Sequence, residues 1–468
     1  MHKACFVPAK PDNRLSGACE PGRIPTPRQS RDASRSQSLL IAHVSLQLQW
    51  SYSSQVGLTL HSGTPTMDLA RTLESAPSGE VIKCIDMHTT GEPTRIVYAG
   101  FPPLSGTLLS QRDQARDQYD HLRQRIMLEP RGHYDMYGAI LRPTTELVES
   151  GEAHIGVLFT HNGGFSTMCG HATIALGRFL VDTHDVAVFP KRNELVVDAA
   201  SQTVVVNLHA PCGLVRITVP IKDTADGIKS DPSRAVSFLS TPGYAAATNL
   251  NICIPPEIRW TELEGRESIT LDISYGGAFY ALIEMHELGY ASTGLRKVDL
   301  DSLSQVMKRL KAYLETHPDI LAACQHPEDK RLSYLYSIML VDTNVGHRPH
   351  IVAGAETGLC FFAENQIDRS PTGSCVTARM ALAHAKGERS VGQRWAYNSI
   401  VSNRFQTGAF EAEIVQTGLR VEGGNAPAKD AVVVRVEGRA YYTGTSNFMV
   451  EEGDITSHSG FVMSDMAV

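Results

Sequence analysis

No apolar stretch in this sequence approaches the roughly 20 residues that cross a bilayer as a helix, so a membrane-spanning role is not expected. There is no CxxC pair and no close grouping of cysteine and histidine at zinc-ligand spacing, so no metal centre is expected either. The nine cysteines are odd in number and scattered singly, which argues against a disulfide framework and fits free thiols in the cytoplasm. Basic residues are in the minority, 43 Lys and Arg against 50 Asp and Glu, for a net charge of -7. Nucleic acid therefore has no positive field to follow, and a small-molecule partner is favoured. What is present is ordinary globular composition, 42% hydrophobic and 20% charged over 468 residues, enough for two or three domains.

Residues 1–78 differ from the rest. They are rich in Ser, Pro, Gln and Arg and carry no sustained hydrophobic period, so they read as a disordered extension outside the fold. The Arg- and Ser-rich stretch 23–38 also has the character of a transit peptide, against which Glu20 and Asp32 argue. Met67 offers an alternative start, and residues 1–66 are expected to be dispensable.

Ordered sequence begins with a strand at 80–87, a turn at 88–93 and a second strand at 95–98. A charged helix at 110–127 follows, then strands at 138–142 and 153–159 and an apolar helix over 172–181. The second half repeats the scheme: strands near 203–220 and 268–273, a Gly276-Gly277 turn, a strand at 278–284 and a helix at 299–315. Strands at 334–342 and 358–363 lead to a helix over 374–387, and several strands at 396–450 close the chain. Many strands at hairpin spacing with one buried helix per half predict an α+β architecture of two pseudo-symmetric halves.

Two segments look like diverged copies of one loop-to-helix unit. Ser166–Ala175 and Arg369–Ala378 align without a gap, placing Cys169 on Thr372 and Gly170 on Gly373. Each reads as a reactive side chain at a helix mouth, then a glycine that lets backbone N–H groups approach a ligand. A substrate between them would face a thiol on one side and only an alcohol on the other.

These residues, together with Asp86–Arg95 (DMHTTGEPTR), Glu129–His133 (EPRGH), Met168–His171 (MCGH), Tyr275–Tyr280 (YGGAFY) and Asp368–Ser374 (DRSPTGS), make the chain resemble the proline racemase family over about 80–466. Within it, the resemblance is to the branch that dehydrates trans-3-hydroxy-L-proline, which keeps the first cysteine and has threonine at the second mouth. The resemblance implies two lobes of the diaminopimelate-epimerase-like fold, no cofactor, a hydroxyproline substrate held between the lobes, and a homodimer. It divides the chain into a first lobe over 79–215, completed by 430–468, and a second over 216–429. It also implies that Asp368 accepts a hydrogen bond from the substrate's ring ammonium. Two positions depart from the family pattern: Thr90 and Cys375 each stand where glycine is usual.

The chemistry follows from the residue types. Removing an α-proton needs a base aimed at carbon, and Cys169 can serve if a helix N-terminus lowers its thiol below the free value of about 8.5. The N–H groups at Gly170, His171, Gly373 and Ser374 would hold the substrate carboxylate. Thr372 is too weak an acid and base for carbon, which removes the second proton route a racemase needs, while its hydroxyl can position a polar ring substituent. The hydroxyl of trans-3-hydroxy-L-proline shares a face with the α-hydrogen, so Cys169 could accept that proton and hand it to the departing hydroxyl. The product would be 1-pyrroline-2-carboxylate. Competing expectations are a proline racemase or 4-hydroxyproline epimerase that uses Cys375 as second thiol, and a silent amino-acid-binding homologue. His88 and His133 read as architectural, as do the other cysteines.

Overall fold

The computed structural model describes residues 81–225 and 227–466. The extension 1–78 and the alternative start at Met67 lie outside the described residues.

β1 (Val81–Thr89) and β2 (Glu92–Ala99) form an antiparallel hairpin. Only Thr90 and Gly91 turn, at φ 53° and 86°, so the turn foreseen over 88–93 is mostly paired strand. Glycine is the residue that enters this region without steric cost, in keeping with the glycine that the family resemblance implies at position 90. Here the Thr90 hydroxyl donates to Gly408 O at 2.7 Å, which offsets the strain.

After the helix Leu108–Met127, β3 (Gly138–Arg142) lies parallel to β2 and antiparallel to β4 (Ile155–His161). β5 (Gly164–Ser166) folds back on β4 and delivers the chain to the helix Gly170–Asp182. β6 (Val197–Asp198), β7 (Thr203–Ala210), β8 (Gly213–Thr224), β9 (Gly227–Ser230) and β10 (Val236–Leu239) continue antiparallel, with β7 also alongside β4.

The second half runs through β11 (Tyr244–Cys253), β12 (Ser268–Tyr275), β13 (Phe279–Glu284), β14 (Leu335–Asp342), β15 (Gly354–Phe362) and β16 (Gln366–Ile367) to the helix Gly373–Ala385. β17 (Trp395–Asn398), a short helix Ile400–Phe405, β18 (Phe410–Val421), β19 (Lys429–Gly438) and β20 (Ala440–Met449) complete it.

Following the hydrogen-bonded neighbours gives two circuits. One runs β20, β1, β2, β3, β4, β7, β8, β10, β19, and the chain itself joins β19 to β20 through Arg439. The other runs β11, β12, β13, β14, β15, β17, β18, β19 and closes through a bridge between Gly243 and Val432. β19 belongs to both.

Each circuit surrounds a helix. Gly170–Asp182 packs against β1, β2, β7 to β10, β19 and β20, and Gly373–Ala385 against β11, β12, β13, β18 and β19. Both are apolar around most of their circumference, as a helix must be when strands cover it on all sides. Every residue from Gly170 to Val181 is buried, and side chains such as Leu176 and Leu180 contribute about 1.5–3 kcal/mol each by leaving water. The helix Leu300–Leu314 instead lies on the outside of the second half. It starts on an Asp299 cap and buries only Leu303, Val306, Met307, Leu310 and Leu314, one stripe at helical spacing. No helix among the described residues is long and apolar enough to cross a membrane.

Candidate active site

The two helix mouths are built differently. Cys169 precedes its helix in extended conformation, and its Sγ accepts the N–H of Ala172 at 3.4 Å, capping the first turn. The Cys169 carbonyl receives the Thr173 hydroxyl at 2.7 Å. The His171 ring lies against the sulfur, with Nδ1 at 3.2 Å.

Thr372 precedes its helix at φ 61° and ψ 80°, a left-handed conformation unusual for a β-branched residue, and its side chain does not cap the helix. Its hydroxyl donates instead to Asp368 Oδ2 at 2.7 Å. The other oxygen of Asp368 accepts the Ser370 N–H at 2.7 Å, and Ser370 Oγ accepts the Thr372 N–H at 3.1 Å. The strained threonine is thus held by the carboxylate at the head of its own loop.

Glycines bring the mouths together. A Cβ on Gly170 would stand 2.5 Å from Gly373 Cα, and one on Gly373 would stand 2.9 Å from Gly170 Cα. Backbone meets backbone there. The Gly276-Gly277 turn fits under both mouths: a Cβ on Gly276 would strike Ser374 O at 2.2 Å, and one on Gly277 the Met168 side chain at 2.7 Å. The first N–H groups of a helix have no acceptor within it, and Gly170, His171, Gly373 and Ser374, which open the two helices, all line the space between the mouths.

That space is a cavity of about 10 Å³, lined by Cys169, Gly170, His171, Asp368, Thr372, Gly373 and Ser374, and also by Tyr137, Met168, Tyr280, Tyr336 and Phe362. All seven residues singled out from the sequence share one cavity. Its volume is about that of one water, so a ring substrate enters only when the walls move apart.

Burial dominates the electrostatics. It pushes the Cys169 thiol well above its ordinary range, and the neighbouring Asp368 and Glu92 add to the effect. The Ala172 N–H and the Tyr137 hydroxyl work the other way and do not overcome it. The lowered thiol expected from a helix mouth is therefore not what the closed site has, because desolvation outweighs the helix. Burial likewise lowers the His171 imidazole, which favours the neutral ring.

Glu92 was missed from the sequence, where it reads as a turn residue. It is fully buried, and its Oε2 accepts the Arg369 N–H at 2.8 Å. Burial first, then Asp368, raises its carboxyl well above the usual range. Arg369 itself pairs with Asp135 at 2.7 Å. The hairpin tip also ties to the first mouth, since the Thr89 hydroxyl donates to His171 O at 2.9 Å. The DMHTTGEP motif thus clasps both mouths.

Tyr137, Tyr280, Tyr336, Phe362 and Met168 were likewise not singled out as site residues. Tyr280 and Met168 lay inside quoted motifs, which was an available signal; Tyr336 carried none.

Cys375 is fully buried in the core and does not line the cavity. Cys375→Ala should leave turnover within about 3-fold of wild type, with a stability loss of about 1 kcal/mol; steady-state rates and thermal melts check this. His88 and His133 accept local backbone N–H groups, of Gly91 and Asp135, at 3.2 Å each, in keeping with architectural roles.

Comparison with known proteins gives the family and the fold. The family description "Proline racemase" matches residues 84–462. The trans-3-hydroxy-L-proline dehydratase of Homo sapiens is 40% identical over 380 residues, 81% of this chain and 94% of that protein. Two crystal structures share the fold. A probable proline racemase from Agrobacterium radiobacter K84 with bound carbonate superposes with a TM-score of 0.65 at 23% identity, covering 82% of this chain and 97% of that one. A hydroxyproline epimerase from Agrobacterium vitis with bound trans-4-hydroxy-L-proline gives a TM-score of 0.62 at 22% identity, covering 82% of this chain and 96% of that one.

Proposed function

The chain belongs to the proline racemase family, and on that premise we propose that it catalyses the cofactor-independent dehydration of trans-3-hydroxy-L-proline to 1-pyrroline-2-carboxylate and water. The observation that carries this reading is the chemical inequality of the two opposed mouths: a thiol at Cys169 and an alcohol at Thr372 line one cavity. The 40% identity to a dehydratase of that substrate supports it.

In this reading the substrate carboxylate lies against the N–H groups of Gly170, His171, Gly373 and Ser374, which stabilise the charge that grows on it as the α-proton leaves. Asp368, already oriented by Ser370 and Thr372, receives the ring ammonium and keeps the α-carbon acidic. Cys169 takes the α-proton. The C3 hydroxyl lies on that same face and departs there, a syn elimination that needs no base opposite. The enamine then tautomerises to the cyclic imine. The lobe boundary expected at 215 cuts through β8. Because β8, β9 and β10 pack around the first helix, the first lobe extends to about 239 before the second begins at β11. The proposal includes a homodimer, which rests on the family resemblance, and a cytoplasmic location, which rests on the dispersed cysteines.

Incubation with trans-3-hydroxy-L-proline in deuterated water is the test. A dehydratase releases the cyclic imine, an isomerase returns inverted amino acid carrying deuterium, and a silent binder exchanges nothing. The isomerase reading needs a second thiol in the cavity, and the burial of Cys375 away from it weighs against that. Thr372→Cys should supply the missing thiol and confer weak proline racemisation, seen by chiral chromatography of L-proline. The gain is small because the loop is shaped around a hydroxyl bonded to Asp368.

A further inference from the structure

Three phenols, Tyr137, Tyr280 and Tyr336, line the cavity, and two of them are anchored by hydrogen bonds, one at each mouth. Tyr280 OH bonds Ser374 Oγ at 2.6 Å, on the second mouth. Tyr137 OH bonds Ser166 Oγ at 2.6 Å, three residues before Cys169, and its ring stands edge-on to His171 with centroids 4.7 Å apart. Tyr137 and Cys169 line the same wall of the cavity, and the phenol works to lower the thiol. The first mouth therefore carries a base and a fixed O–H donor side by side.

The elimination needs both. Hydroxide is a poor leaving group, and the C3 hydroxyl of trans-3-hydroxy-L-proline departs on the Cys169 face, where Tyr137 is the phenol in place. Taking the dehydration above as the reaction, we propose that Tyr137 is a catalytic acid that protonates the departing C3 oxygen, and that its placement selects the diastereomer whose hydroxyl shares a face with the α-hydrogen.

The protons balance. The Cα–H bond breaks with its proton passing to the Cys169 sulfur, and its electron pair forms the new C=C bond. The C3–O bond breaks as the oxygen takes the Tyr137 proton and leaves as water. The Cys169 S–H then returns its proton to the Tyr137 oxygen across the cavity that both line, which restores thiolate and phenol. Burial holds the Tyr137 hydroxyl well above its ordinary range, so it stays protonated until a strong base forms beside it. A departing hydroxide is such a base.

The cis-3 diastereomer presents its hydroxyl to the opposite mouth, where Thr372 stands in place of a thiol and nothing returns a proton to Tyr280. It should bind and exchange its α-hydrogen without losing water.

The experiment compares wild type with Tyr137→Phe, reading two rates in deuterated water with trans-3-hydroxy-L-proline: imine release, and deuterium in the recovered amino acid. Tyr137→Phe should lower imine release by roughly 10²–10⁴-fold, the ordinary worth of a positioned general acid, while α-exchange persists within a few-fold. Ser166→Ala, which only loosens the phenol's anchor, should give a smaller loss of the same kind. If exchange and imine release fall together in both variants, Tyr137 serves the thiol or the fold, and the proposal is overturned. Undiminished imine release in Tyr137→Phe overturns it equally. If wild type exchanges the α-hydrogen yet releases no imine, the dehydration itself is wrong and the role of Tyr137 falls with it, an outcome the wild-type control identifies by itself.

Discussion

Cys169→Ser is expected to lower turnover by roughly 10²–10⁴-fold or more, because an alcohol at neutral pH is far too weakly ionised to take a proton from carbon. The fold should survive. Serine oxygen is a good acceptor for the Ala172 N–H that Sγ now receives at 3.4 Å, so the melting temperature should be unchanged or slightly higher. Substantial activity in this folded variant would remove Cys169 from the mechanism. The wild-type pH profile carries the matching signature. A base works only when unprotonated, and burial, reinforced by Asp368 and Glu92, raises this thiol. Activity should therefore climb with pH and decline as pH falls, and the rising limb of kcat/KM should lie above the free-cysteine value of about 8.5. A limb well below that value would mean that the reacting state is more open and solvated than the closed site.

Gly170→Ala should be nearly as damaging without touching any reacting group. Its new methyl would lie 2.5 Å from Gly373 Cα and 2.9 Å from Gly373 C, backbone atoms that cannot rotate aside. One helix mouth has to retreat. Overpacking of this kind costs about 1–3 kcal/mol of stability, and displacing one set of N–H donors by a fraction of an ångström to about 1 Å should lower turnover about 10²-fold. Gly424→Ala is the control, since nothing lies within 4 Å of its added methyl. Equal effects in the two variants, by thermal melts and steady-state rates, would show that the contact between the mouths is not what matters.

The motifs were legible because each rests on local chemistry. A glycine after a reactive side chain and before an apolar run reads as a helix mouth, and both helices begin within two residues of where that pattern puts them. Strand pairing across the molecule was not legible. β19 reads as one more strand near the end of the chain; that it closes two circuits depends on partners as distant as β10 and Gly243. The same holds within the site. Glu92 resembles a turn residue until Arg369 folds over it, and the direction of the Cys169 shift follows from a desolvation that only the closed tertiary structure creates. Local rules locate the thiol; the packing around it sets its acidity.

The contact between Gly170 and Gly373 has an electrostatic meaning beyond its tightness. Each helix start carries the equivalent of roughly half a positive charge, and here two such starts touch backbone to backbone inside a buried space. The closed site is two like poles pressed together. The space between them is too small for water to screen the repulsion, and the Asp368 carboxylate that lines it is already engaged with Ser370 and Thr372. On the function proposed above, a substrate carboxylate entering that gap is the counter-charge on which the two halves close, and the ligand is then a structural element of the closed protein as well as its reactant.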